Sequence, residues 1–227
     1  MTDHYDREQD RQLLLGAILN HVPFDGWTDI ALQAAGQETG IASDRILNAF
    51  PGGAREVLIL WHDVADQQMI TAMSRPDIAR LRTRERVAAA IRLRLQANFL
   101  HREAVRAGCT TLLMPQNTAI AAKLLYNTVN AVWYAVGDKS TDYNFYTKRG
   151  LLAAVYSTTV MYWLNDKTPD CTATWAFLDR RIAEVMQVPQ LIGQATSRLR
   201  NLADHLPMPQ NLLKRARMAR GRRRPAH

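Results

Sequence analysis

Apolar residues recur along this chain at spacings of three and four, and alternating β-branched runs are scarce, so the pattern predicts helices. A first helix is predicted from Asp6 to Asn20, with Leu14 and Ile18 on one face. His21-Val22-Pro23-Phe24-Asp25-Gly26 reads as the turn that ends it. Trp27 or Thr28 opens a second helix reaching Gly36, and a short third spans Ser43 to Phe50. The stretch between them, Gln37 to Ala42, reads as longer and more acidic than a tight turn.

Pro51-Gly52-Gly53 breaks the chain before a long helix from Ala54 to Ser74, whose apolar side carries Val57, Leu58, Leu60, Trp61, Val64 and Met69. Thr83 to Leu100 continues as a basic helix with Val87, Ile91, Leu95 and Leu100 inward; its arginines read as a solvated face and interhelical salt links. Three further helices fit Asn117–Val136, Asp142–Asn165 and Thr168–Gln187. Thr168-Pro169-Asp170 offers a cap, a proline at the first helical position and an acid suited to the helix dipole. After Pro189, Leu191, Ala195, Leu199, Leu202 and Leu206 form one apolar stripe over Gln190–Leu206, and Pro207 and Pro209 end it. That stripe can lie in a membrane interface, against a partner subunit or on the helical body. The fold class is therefore all-α. It divides into a three-helix region at 1–53, a larger helical region at 54–189, the amphipathic helix at 190–206 and a basic tail at 207–227.

Composition changes this picture little. Hydrophobic residues at 47% and charged residues at 22% of 227 positions describe a globular chain able to bury a sizeable core. No apolar run approaches the roughly 20 residues that span a bilayer. The acidic start, with Asp3, Asp6, Glu8 and Asp10, resembles neither a secretory signal nor an Arg-rich transit peptide, so a cytoplasmic product is expected. Cys109 and Cys171 lack any metal or redox spacing and read as buried or incidental thiols in a reducing compartment.

Charge changes it more. The net charge of +8 looks like a nucleic-acid signature until it is located. Lys214, Arg215, Arg217, Arg220, Arg222, Arg223 and Arg224 supply seven positives, and without them 22 basic residues face 21 acidic ones. The basicity belongs mainly to the tail, which can hold anionic lipid or nucleic acid in a salt-dependent way, or simply keep the chain soluble.

The chemistry-bearing residues concentrate in one block. Of the 17 aromatics, 11 lie between Tyr126 and Phe177, centred on Trp133–Arg149, which favours a specialised surface or pocket. Gly137 can stop one helix there, and Ser140, Thr141 or Asp142 can cap the next. Phe145 and Tyr146 then enter a helix, so at least one is expected to project outward beside Asp142; alternatively both fold back onto Trp133 and Tyr134. No catalytic constellation emerges. His62-Asp63 reads as a satisfied polar pair, the six histidines never come at ligand spacing, and Asp138 and Asp142 read as caps. No enzyme activity, metal or cofactor is expected.

The first three helices resemble the helix-turn-helix of TetR-type regulators. Trp27-Thr28-Asp29-Ile30-Ala31-Leu32-Gln33-Ala34-Ala35-Gly36 and Phe50-Pro51-Gly52-Gly53 fit that outline. The recognition helix, however, offers only Arg45 and Asn48, offset by Asp44, where major-groove readout needs several donors. Sequence-specific nucleic-acid binding is therefore not expected, although a lipid-sensing TetR-type regulator stands as the alternative.

Over nearly the whole chain up to the tail, the sequence resembles the ubiquinone-biosynthesis accessory family known as the ninth coenzyme Q biosynthesis protein. The resemblance rests on Trp133-Tyr134, Gly137 to Arg149, Tyr156, Thr158, Thr159, Asp166, Thr174-Trp175-Ala176-Phe177-Leu178, and the upstream His21–Thr28 and Ala49–Gly53. It implies a TetR-like all-α fold, a homodimer and a non-enzymatic, lipid-binding role. The ligand implied is an isoprenoid lipid such as a ubiquinone precursor, and the partner is demethoxyubiquinone hydroxylase. It also implies a partner-facing surface at Asp142, Asn144, Phe145 and Tyr146, with Phe145 standing where the family commonly has Trp. The absence of a transit peptide suggests a bacterial version, peripheral on the inner membrane face. Leu124, Leu125, Val132, Leu152, Val155, Met161, Trp175 and Leu178 are expected to line an elongated apolar cavity; helical spacing equally allows that they simply pack together. Leu191, Ala195, Leu199, Leu202 and Leu206 are the expected membrane contacts.

Overall fold

Asp6 starts the first helix, its carboxylate accepting hydrogen bonds from the backbone N–H groups of Glu8 and Gln9 at 3.0 and 3.2 Å. The computed structural model describes residues 6–138 and 143–185, with the side chains of 6–138 and 146–185. These residues form helices joined by short turns, and no strand occurs among them. The helices are α1 (Arg7–Asp25), α2 (Asp29–Thr39), α3 (Ser43–Ala49), α4 (Ala54–Met73), α5 (Pro76–Ala79), α6 (Thr83–Ala97), α7 (Arg102–Leu112), α8 (Thr118–Val136), α9 (Tyr143–Asn165) and α10 (172–185).

Helix α1 runs a turn and more beyond the expected Asn20, through Pro23 to Asp25. A proline near a helix end removes only one hydrogen bond. Here Val22 is buried and His21 pairs with Glu38 of α2 at 2.8 Å, which holds the last turn in place. Helix α2 likewise extends to Thr39, so only Gly40-Ile41-Ala42 connects it to α3. The turn is tight, not long, because Gly40 takes the left-handed conformation at φ 71° that ends the helix at once. Gly53 is another glycine at positive φ. It sits at φ 65° against the Asp29 carboxylate, which accepts from the Ala54 N–H at 2.9 Å.

The basic helix α6 ends three residues early. Asn98 turns its amide onto the Arg94 carbonyl at 2.9 Å and leaves the helical path, so Leu100, expected inward, is exposed. The chain then enters α7, which the periodicity did not reveal. At the start of α10 the expected Thr168 cap is shared with Asp166. The Asp166 carboxylate accepts from the backbone and hydroxyl of both Thr168 and Thr174 at 2.6–2.8 Å. Burial opposes ionisation, yet those four hydrogen bonds hold the Asp166 carboxyl well below the usual carboxylate range.

Two apolar cores result. Leu14, Ile18, Leu32 and Ile46 of α1–α3, with Phe50 just after α3, pack around Val57 and Leu58 in the first half of α4. Met69 and Met73 at its far end join Ile91, Val129, Val132, Leu152, Trp163 and Leu178 from α6 and α8–α10. The expected boundary at 53/54 thus falls just before a helix that serves both cores. The amphipathic helix at 190–206, with Leu191, Ala195, Leu199, Leu202 and Leu206, and the basic tail lie outside the described residues.

Candidate binding cavity

An arginine and an aspartate meet in the middle of the second core. Asp66 of α4 and Arg94 of α6 are both buried, and their ion pair closes at 2.6 Å from the Arg94 Nε. A buried pair is tolerated only when its remaining hydrogen-bonding groups find partners. They do: Arg94 also donates to the Tyr156 hydroxyl at 2.6 Å and to Thr128 Oγ1 at 3.3 Å, and Thr128 donates to the other Asp66 oxygen at 3.0 Å. Four helices are thereby tied at one point. Burial works against the Arg94 charge, but Tyr156 and Asp66 outweigh it and keep the guanidinium protonated. Burial pushes the Tyr156 phenol up, so it stays neutral.

This network forms part of the wall of a cavity of about 320 Å³, a size at the small end of ligand pockets. Helix α4 contributes Trp61, His62 and Ala65; α6 contributes Arg94, Leu95 and Asn98; α7 contributes Val105, Cys109 and Leu112, with Leu113 just beyond. Ala121, Leu124, Leu125 and Thr128 come from α8, and Tyr156, Ser157, Val160 and Met161 from α9. The walls are mostly apolar. Leu113 and Met161 are exposed and mark the rim.

His62 was expected to pair with Asp63. Instead its Nδ1 meets the Leu58 carbonyl at 3.0 Å, because neighbours in sequence point apart on a helix while the i−4 carbonyl lies below the ring. Burial, and then the charge of Arg94, push the imidazole down to about 4, so it is neutral at physiological pH. Burial pushes the Cys109 thiol up, which leaves it an inert lining group.

Helix α7 supplies one wall and is pinned on its other face. Trp27 donates its indole N–H to the Ala104 carbonyl at 3.1 Å, and Gly108 sits against Leu58 and the same indole. Arg102 and Arg106 reach the carbonyls of Asp166 and Leu164 at the end of α9. Sequence reasoning missed this helix and the buried role of Arg94. The signal was present in Ala104, Gly108, Val105, Cys109 and Leu112, which divide between two faces at helical spacing.

Of the residues expected to line a cavity, Leu124, Leu125 and Met161 do so. Val132, Leu152, Val155 and Leu178 are buried in the second core and are not among the lining residues; Trp175 packs against that core from its edge. Helical spacing fixes which residues share a face but not whether that face meets the cavity or the packed core. In the expected partner surface, Tyr146 is 73% exposed. Asp142 and the side chains of Asn144 and Phe145 lie outside what is described. Asp138 pairs with Lys148 at 2.9 Å. On the helix-turn-helix side, Arg45 donates through two nitrogens to Asp10 of α1. No helix among the described residues is long and apolar enough to cross a membrane.

The COQ9 family model matches residues 118–189, the stretch that contains every cavity residue of α8 and α9. The mitochondrial ubiquinone biosynthesis protein COQ9 of Rattus norvegicus is 30% identical over 204 residues, covering 86% of this chain and 64% of its own length. The COQ9-B protein of Xenopus laevis is 30% identical over 202 residues, covering 86% of this chain and 69% of its own. The chain belongs to the COQ9 family. It spans less than two thirds of the rat relative's length. In fold, this COQ9-family chain is similar to a TetR transcriptional regulator from Nitrosomonas europaea. Their TM-score is 0.66 at 20% identity, over 78% of this chain and 98% of the other. The fold is TetR-like and all-α.

Proposed function

We propose that this chain is a non-enzymatic accessory protein of ubiquinone biosynthesis that holds an isoprenoid quinone precursor in the cavity between α4 and α6–α9. On this reading it acts as a homodimer at the membrane surface and presents the lipid to demethoxyubiquinone hydroxylase. The observation that carries it is an apolar cavity of about 320 Å³ whose α8 and α9 walls fall within the stretch matched by the COQ9 family. An apolar lining suits a prenyl chain, each buried methylene contributing about 0.8 kcal/mol. The mitochondrial relatives are named as ubiquinone biosynthesis proteins, which supports the pathway.

The alternative, a TetR-type regulator, rests on likeness of fold alone. Arg45, one of two candidate DNA-reading side chains on α3, is engaged by Asp10, which disfavours it. Cells lacking the chain should lose ubiquinone and accumulate the demethoxy precursor, and a plasmid-borne copy should restore them. Normal ubiquinone in such cells, together with tight binding of one DNA duplex, would establish the regulator instead.

A further inference from the structure

An isoprenoid tail needs only apolar walls, yet the lining includes buried Arg94, Asn98 and Thr128 and half-buried Tyr156 and His62, of which Asn98, Thr128 and Tyr156 are tied to Arg94. Arg94 is the only formally charged side chain in the lining among the described residues, and Asp66 already balances it. Its Nε, Nη1 and Nη2 are all engaged, by Asp66, Tyr156 and Thr128. An anionic head group would leave water and meet no unpaired cation, which is costly.

Two hydrogen-bonding positions stay open beside this closed circuit. Tyr156 accepts from Arg94 through its oxygen, which leaves its own proton to donate. His62 directs Nδ1 at a carbonyl, which can only accept, so that nitrogen carries the proton and Nε2 is a bare acceptor. Trp61 adds an aromatic face to the lining, suited to a flat ring more than to a flexible glycerol head.

We propose that this polar cluster recognises the head group of the bound lipid, and that the head is a neutral oxygenated ring, a quinone or its hydroxylated form. A ring carbonyl oxygen accepts from the Tyr156 hydroxyl, a ring hydroxyl donates to His62 Nε2, and the tail leaves past Leu113 and Met161. This inference rests on the lipid-holding reading above and adds the orientation of the ligand and the residues that select it.

Calorimetric titration with decylubiquinone, decylbenzene and decanoate separates the two. In the full-length protein decylubiquinone should bind more tightly than decylbenzene, and decanoate more weakly than either. Tyr156→Phe should weaken decylubiquinone roughly tenfold, the worth of one buried hydrogen bond, and leave decylbenzene unchanged. His62→Leu should weaken the reduced quinol and spare the quinone. Equal loss for all probes in both variants, or decanoate as the tightest ligand, would overturn the head-group assignment with the cavity intact. No binding of either decylubiquinone or decylbenzene would instead remove the lipid-holding reading itself. If Tyr156→Phe does not fold, the infrared carbonyl band of decylubiquinone on the unaltered protein decides. A shift to lower frequency supports the hydrogen bond, and an unshifted band overturns it.

Discussion

Arg94 shows how one residue can carry opposite meanings in sequence and in structure. Among the arginines of α6 its pattern reads as solvated, because nothing local distinguishes it from Arg92. Only the meeting of α4, α6, α8 and α9 turns it inward onto Asp66, a contact 28 positions away in sequence. Removing one partner strands the other, so Arg94→Met should cost about 3–5 kcal/mol in a denaturant titration. Arg94→Met combined with Asp66→Leu should recover most of that loss, since both buried charges then disappear together. His62 supplies a pH signature. Its folded pKa of about 4 lies below the ordinary 6.5. The unfolded chain therefore binds the extra proton first, and stability falls as pH drops from about 6.5 to 4. Replacing His62 with Leu should flatten that window by about 2–3 kcal/mol in melts at stepped pH. The Asp166 contribution is present at neutral pH and is lost at more acidic values, as its lowered carboxyl finally protonates.

At the scale of elements, most helices were legible because their apolar spacing and caps agree: Thr28, Pro51-Gly52-Gly53 and Gly137 mark ends that the structure keeps. The misplaced ends differ in cause: tertiary contacts extend α1, whereas Gly40 and the Asn98 amide end α2 and α6 locally. Pro23 reads as a stop, but Val22 and His21 are held in place from outside the helix. Helix α7 was hidden by its composition. Its buried face is only Ala104 and Gly108, small residues that give a weaker signal than leucines would and that matter because they let the backbone approach Trp27 and Leu58. A side chain at Gly108 should therefore wedge the helix away. Gly108→Leu is expected to destabilise by about 1–3 kcal/mol and to raise amide hydrogen exchange across α7 more than across α1. Protection lost equally everywhere would mean that α7 does not move as a unit.

For the molecule as a whole, the TetR-like layout was readable from three amino-terminal helices and the long helices after them, and the similarity to a TetR regulator bears this out. The cavity was readable only in part. Leu124, Leu125 and Met161 line it, while Val132, Leu152, Val155 and Leu178 fill the core, because helical spacing fixes a face but not which neighbour that face meets. The same distinction selects the probe of function. A bulky ring at Leu152 would test core packing, whereas one at Leu125 enters the cavity while that residue stays only half-buried. Leu125→Trp should leave helix content unchanged and lower the melting temperature by no more than a few degrees. The decisive measurement is mass spectrometry of lipid extracted from the purified protein and from Leu125→Trp. An isoprenoid quinone or its precursor should accompany the unaltered protein in near-stoichiometric amount and be lost from the variant. An unaltered protein that carries no such lipid, or a folded variant that carries it undiminished, would contradict a lipid-holding role for this cavity.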